Sequence, residues 1–227
     1  MKWIINFFTS TLGQKIIMSL TGLFLISFLL VHLIGNFQLL LNDGGEAFNV
    51  YAKFMTNNPV IKFTSYGLYA FIILHTVQGI VIWRVNRSKK GSRYAVSPKN
   101  STWASRKMGI LGTIILVFIL IHMYQYWLKM KLDLVDHIMI DGVEVKDLYG
   151  LVYATYTNIF FVIFYVVSMI VIGLHLSHGF QSAFQTLGLN HKKYTPLIKI
   201  LGTAYSILVP LGFAIIPVIM YLKHIKG

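Results

Sequence analysis

Imidazole is the side chain that recurs in this sequence where ionisable groups are costly. Five of the eight histidines lie inside long apolar stretches: His32, His75, His122, and the close pair His175 and His178. An ionisable ring at membrane depth is rare and marks an ion path, a proton relay or a bound cofactor. Neutral imidazole binds first-row metals through either ring nitrogen and passes protons through both. One such ring is explained as well by a hydrogen bond to a backbone carbonyl, but rings on four separate stretches ask for a common cause. There is no cysteine, which removes disulfides, thiolate-held iron–sulfur clusters and covalent haem attachment through C-x-x-C-H. Any redox group must be held by other side chains. His137, His191 and His224 fall in polar segments or at the C-terminal edge and read as solvated.

The elements that must carry these rings are apolar spans. Charged residues make up 12% of the chain and apolar ones 56%, against about a quarter charged in an ordinary soluble domain. Five stretches lack charge for roughly the 20 residues that cross a bilayer: about Ile16–Leu41, Phe63–Trp83, Met108–Leu128, Tyr149–Leu189 and Ile200–Leu222. The first is too long for a secretory signal and has no cleavage site after it, so it reads as an uncleaved span. Residues 1–14, with Trp3, Phe7 and Phe8, read as an interfacial helix. Pro210 and Pro217 are expected to kink the last span, which has no buried histidine and reads as a packing helix.

Charge gives the orientation. All seven acids lie in two loops, Asp43 and Glu46 after the first span and Asp133 to Asp147 after the third. Arg84, Arg87, Lys89, Lys90, Arg93, Lys99, Arg106 and Lys107 separate the second and third spans, and His191, Lys192, Lys193 and Lys199 the fourth and fifth. Basic short loops stay cytoplasmic, which puts the N-terminus inside and both acidic loops outside. Trp83, Trp103 and Trp127 mark span ends at headgroup level. The net charge of +13 therefore meets anionic lipid or a cytoplasmic partner. No nucleic-acid motif accompanies it.

Depth then sorts the histidines. His32 lies about 17 residues into a span that starts inside, and His122 about 15, roughly 25 and 22 Å along the axis. His75 and His175 lie about 9 and 11 residues from the inner ends of their spans, roughly 13–17 Å. The rings thus form two pairs at matched depth, one in each half of the membrane. Two planar macrocycles stacked across the bilayer need such an arrangement, with bis-histidine ligation suited to electron transfer. Gly35, Gly79 and Gly179 follow three of these rings by three or four residues, on the same helix face, where they leave room for a porphyrin. His175 is favoured as fourth ligand by depth. His178 is the alternative, or a partner to a propionate or to the ligand ring. The expected fold is an all-α integral membrane protein, one domain over residues 1–227, with five transmembrane helices in a bundle around two haems.

The segments V-H-L-I-G-N (31–36), L-H-T-V-Q-G (74–79), I-H-M-Y-Q (121–125) and G-L-H-L-S-H-G-F (173–180), with Trp103, Arg106 and Gly109 opening the third span, carry a family likeness. Over essentially the whole chain the sequence resembles the single-chain, five-helix, dihaem cytochrome b subunit of succinate dehydrogenases and fumarate reductases. The resemblance implies a bacterial cytoplasmic-membrane anchor for a flavoprotein and an iron–sulfur protein on the cytoplasmic side. It implies two haems b, with iron held by His32/His122 at the outer level and His75/His175 at the inner level. Electrons would pass between the iron–sulfur subunit and a quinone, commonly menaquinone, near the outer haem. Asn36, Gln38, Gln125, Tyr126 and Lys129 lie just outside the outer ligands and are candidates to bond a quinone or a propionate, with Glu46 the candidate acid for proton exchange. A proton-carrying carboxylate known in the family two residues before the fourth ligand is replaced here by Gly173.

Two rivals stand beside this reading. A cytochrome b anchor of a hydrogenase or formate dehydrogenase would use the same chemistry with another soluble partner. One ligand on each of four successive spans favours the succinate family. A histidine proton-relay transporter would be expected to carry intramembrane carboxylates or broken helices, and no Asp, Glu, Lys or Arg lies mid-span. The chain has no flavin fingerprint, arginine-rich pocket or nucleophile for dicarboxylate chemistry of its own.

Overall fold

The computed structural model describes residues 6–7, 10–89 and 103–226. Most of the expected interfacial segment, including Trp3 and Phe8, lies outside them, as do Lys90, Arg93 and Lys99 of the basic loop. Five helices are long and apolar enough to cross a membrane: Thr11–Leu40, Pro59–Ser88, Trp103–Lys131, Ile159–Thr186 and Thr195–Lys226. The chain is a multi-pass membrane protein by that measure.

Helix α1 (Thr11–Asn36) starts where the Ser10 hydroxyl accepts from Gly13 N at 3.0 Å. Residues 11–14, expected in an interfacial helix, are therefore the first turn of the first spanning helix. A 3₁₀ turn, Phe37–Leu40, carries α1 to its end. The short helix α2 (Glu46–Asn57) follows a left-handed Gly45 with φ 93°. A Cβ there would fall on the Tyr149 ring. The Asp43 carboxylate accepts from Ala47 N and Gly45 N. These bonds hold its pKa below the usual carboxylate value, so the cap is fully present at neutral pH and weakens as pH falls through the lowered pKa. Helix α3 (Pro59–Lys89) places proline at its first position, where a missing N–H costs nothing. Asn58 Oδ1 caps Val60 N and Ile61 N.

Helix α4 (Trp103–His122) passes at once into a π-helical turn, Met123–Leu128. After it the acidic segment folds into a small hairpin, β1 (His137–Ile140) against β2 (Val143–Lys146), with Ile140 opposite Val143. Its turn is Asp141-Gly142, both at positive φ, the two-residue loop whose twist matches paired strands. This hairpin is an addition to an otherwise helical fold: D-G between alternating residues is a hairpin signal.

The expected span Tyr149–Leu189 is also corrected, being two helices: α5 (Leu148–Tyr156) and α6 (Ile159–Thr186). Asn158 leaves helical geometry and its side chain accepts from Phe160 N at 2.9 Å, starting α6 afresh. Helix α7 (Thr195–Lys226) runs on through Pro210 and Pro217, both buried.

Helices α1 and α4 each pack against α3 and α6, so these four form a ring of neighbours, while α7 lies against α6 and α1. The core gathers on α6, through Val162, Tyr165, Met169, Ile172 and Leu176, with Leu33, Phe118 and Ile216 from its neighbours. At Gly173 α6 meets α7 so closely that a Cβ would lie 2.9 Å from Ser206 O, which leaves no room there for a side chain. Large apolar side chains such as Phe63, Ile73 and Val77 of α3 point outward, as lipid contact requires.

A polar cap closes the acidic end. Asn49, 1% exposed, donates from Nδ2 to Asp147 Oδ1 at 2.9 Å and accepts from Tyr149 N at 2.8 Å. Lys53 Nζ donates to Glu144 O, Lys146 Nζ to Met130 O, and Lys223 Nζ to Asn42 Oδ1 and Leu40 O. Lys146 and then His137 hold the Asp133 carboxyl below its ordinary pKa.

Candidate functional site

The four ring-bearing helices bring their histidines together in twos. The His32 and His122 ring centres, from α1 and α4, are 5.9 Å apart, with planes rotated by 85°. Those of His75 and His175, from α3 and α6, are 6.3 Å apart and rotated by 69°. An imidazole nitrogen sits about 2 Å from a first-row metal and the ring centre about 1.1 Å beyond, so two rings on opposite sides of one metal have centres roughly 6 Å apart. Both pairs have that spacing. Among the described residues no three His, Cys, Asp or Glu side chains gather as a metal-ion site. Each pair offers two imidazoles.

The separation of the two levels follows from counting residues along two helices. On α1, Thr21 touches His75 and His32 faces His122; those positions are eleven residues apart, about 16 Å along the axis. On α6, Tyr165 lies beside His122 and His175 faces His75, ten residues or about 15 Å apart. The His32/His122 level is the one nearer the acidic end.

Each ring is held differently. His122 stacks on Phe118 at 5.6 Å and meets the edge of Tyr126 at 5.2 Å. Its Nδ1 is 3.5 Å from Tyr165 Oη, which donates to Gln125 Oε1 at 2.7 Å. His32 stacks on Phe28 and packs against Phe213. Asn36 Nδ2 donates to His32 O at 2.7 Å and is 3.3 Å from its Nδ1. The His75 Nδ1 is 3.1 Å from Thr21 Oγ1, whereas the His175 Nδ1 is buried with no hydrogen-bond partner. His178 is half-buried one turn further along α6; the ring that faces His75 is His175.

The remaining candidates divide. Asn36, Gln125 and Tyr126 lie against the first pair, but Asn36 and Gln125 are engaged with His32 and Tyr165 as described. The Tyr126 hydroxyl lies among Tyr165, Thr155 and Tyr156. Gln38 sits in the 3₁₀ turn and Lys129 just past the π turn, both partly exposed; Glu46 is exposed at the start of α2. The glycines also divide. Gly35 is filled by Tyr51, whose Cε1 would lie 2.5 Å from a Cβ, and Gly79 faces Met18; Gly179 faces open space. The porphyrin-clearance reading is thus corrected at Gly35, which makes room for a tyrosine.

Thr21, Gly22 and Tyr165 were missed by reading outward from the histidines alone. A hydroxyl and a glycine side by side in an apolar run, level with His75, were the available signal. The π turn after His122 has no sequence signature. It inserts an extra residue into the helical repeat, as such turns do near functional sites, and Gln125 ends buried beside Tyr165. Replacing Tyr165 by Phe is expected to leave the buried Gln125 Oε1 without its donor and to cost about 1–3 kcal/mol. A melting curve of the purified chain in detergent, followed by tryptophan emission, checks this; an unchanged midpoint would mean that Gln125 finds another partner.

No known family model, characterised protein or solved structure matches this chain.

Proposed function

We propose that the chain is a dihaem cytochrome b, the membrane anchor of a succinate:quinone oxidoreductase or quinol:fumarate reductase. The observation that carries this reading is the meeting of four imidazoles from four helices in two pairs, each spaced for two bonds to one metal. A bare ion would be left short of ligands by two imidazoles, whereas a porphyrin supplies the other four nitrogens. His32 and His122 would hold one haem b, His75 and His175 the other. Bound there, haem would supply reversible one-electron transfer.

The protein's own part is to bind and orient. Phe28, Phe118 and Phe213 wrap the first pair in aromatic surface. Asn36, Tyr165 and Thr21 lie 3.3, 3.5 and 3.1 Å from the Nδ1 atoms of His32, His122 and His75. The basic loops favour a cytoplasmic N-terminus, and by the family likeness a flavoprotein and an iron–sulfur protein would dock on that face of a bacterial cytoplasmic membrane. Quinone, menaquinone by the family likeness, would bind near the acidic end, where the side chains of Gln38, Lys129 and Glu46 are partly or fully exposed. The pull of the resemblance is towards the succinate family, through the order V-H-L-I-G-N, L-H-T-V-Q-G, I-H-M-Y-Q, G-L-H-L-S-H-G-F.

The test is to purify the tagged chain from its own membranes and add electron donors one at a time. Succinate is expected to reduce the haem b α-band, with a flavoprotein and an iron–sulfur protein copurifying. Reduction by hydrogen or formate and not by succinate would assign the anchor to another dehydrogenase.

A further inference from the structure

We infer that Thr21 is a positioning residue for the metal site at His75 and His175: its hydroxyl sets which nitrogen of His75 carries the proton and so frees the other for the metal. This rests on the haem reading above. Thr21 is 4% exposed, and its Oγ1 lies 2.8 Å from Ile17 O, 3.2 Å from Met18 O and 3.1 Å from His75 Nδ1. A hydroxyl has one proton to give and two lone pairs. The closest partner is a carbonyl, which can only accept, so the proton goes to Ile17 O. Towards His75 the oxygen then accepts, and Nδ1 is the protonated nitrogen. Nε2 keeps its lone pair, the form of imidazole that binds a metal.

The contact serves His75 and not Thr21. A buried threonine in a helix satisfies its hydroxyl on the preceding turn without help, as Thr21 does. A neutral imidazole in an apolar interior has an N–H that must find an acceptor, and α1 supplies it from another helix, through the Thr21 hydroxyl with the Met18 carbonyl beside it. Gly22 completes the seat: a Cβ there would lie 3.2 Å from His75 Cε1 and 3.7 Å from Nδ1, so a side chain at this position would press on the ring. The opposite ring has no such brace, since His175 Nδ1 is buried and unpartnered. Any tuning of this site through an imidazole N–H therefore acts through His75. An acceptor on that N–H raises the basicity of the ligand, which favours the ferric form.

The test is potentiometric titration of the purified chain carrying Thr21→Val, with Thr21→Ser beside it and the two haems told apart by the spectra of His32→Ala and His75→Ala. Valine keeps the volume and removes the hydroxyl. The ferrous-to-ferric ratio at the His75/His175 site, at fixed potential, is expected to rise about threefold to tenfold, the upper limit being about 59 mV for one electron. The other haem should be unmoved, and serine should restore the wild-type value. Loss of that one haem in Thr21→Val, with both kept in Thr21→Ser, would support the assignment equally. Both haems bound with unchanged midpoints in Thr21→Val would overturn it, as would loss of haem in both variants, which would reduce Thr21 to packing. Wild-type chain without haem would instead sink the haem reading itself.

Discussion

Alanine at His32 or at His122 is expected to lower the haem content from two per chain to one, and alanine at His75 or His175 to remove the other one. Within a pair the two variants should give the same residual spectrum, and between pairs complementary ones. The reason is geometric: each ring reaches its partner at 5.9 or 6.3 Å from a helix across the four-helix ring, and no third donor stands by among the described residues. Losing one imidazole leaves a single axial bond, which is not expected to survive purification. The other level, about 15 Å away along α6, keeps its own two ligands and should stay filled. His178→Ala should keep both haems, because the ring facing His75 is His175. Pyridine haemochrome against protein mass measures all five variants. Loss of a haem in His178→Ala with both retained in His175→Ala would reassign the fourth ligand; no haem in the wild type, from cells that make haem, would end the reading.

The second large effect belongs to the polar cap. Asn49→Leu is expected to destabilise the chain by about 2–4 kcal/mol, since the Tyr149 N–H loses its acceptor and Asp147 a donor in a buried place. Asn49→Asp separates the causes. It keeps an acceptor for Tyr149 N but sets a second carboxylate against Asp147, 2.9 Å from the present donor. That variant should be weak at neutral pH and regain stability as pH falls, once one carboxyl of the pair is protonated and donates to the other. Melting temperature against pH in detergent gives the answer. A flat profile for Asn49→Asp would show that the two groups move apart.

Much of this was legible in the sequence. Five charge-free stretches are read from hydropathy because a bilayer punishes any other pattern. Counting along them puts His32 level with His122 and His75 level with His175, and the rings meet in those twos. What escaped has physical reasons. Asn158 divides a stretch that hydropathy reads as one, because capping is a property of one side chain and not of an average. The Asp141-Gly142 turn was legible but hidden by reading the segment for its charge. The π turn after His122 and the seating of Tyr51 on Gly35 depend on which helix lies alongside, and a single sequence does not state its neighbours.

The ring of helices has a mechanical corollary. Four rods packed chiefly on their neighbours make a linkage that shears, each rod sliding on the next as the bilayer thickens or thins. The histidine pairs lie on both diagonals, α1 to α4 and α3 to α6, at different heights. Tied by metal, they become cross-struts, and a linkage braced on both diagonals is a truss. A slip of α3 past α1 by one turn, about 5.4 Å, would then have to stretch a strut at one level and twist the frame at the other. If the proposed haems are bound, the spacing between them, on which an electron transfer rate depends, would be kept by the same bonds that hold them in place.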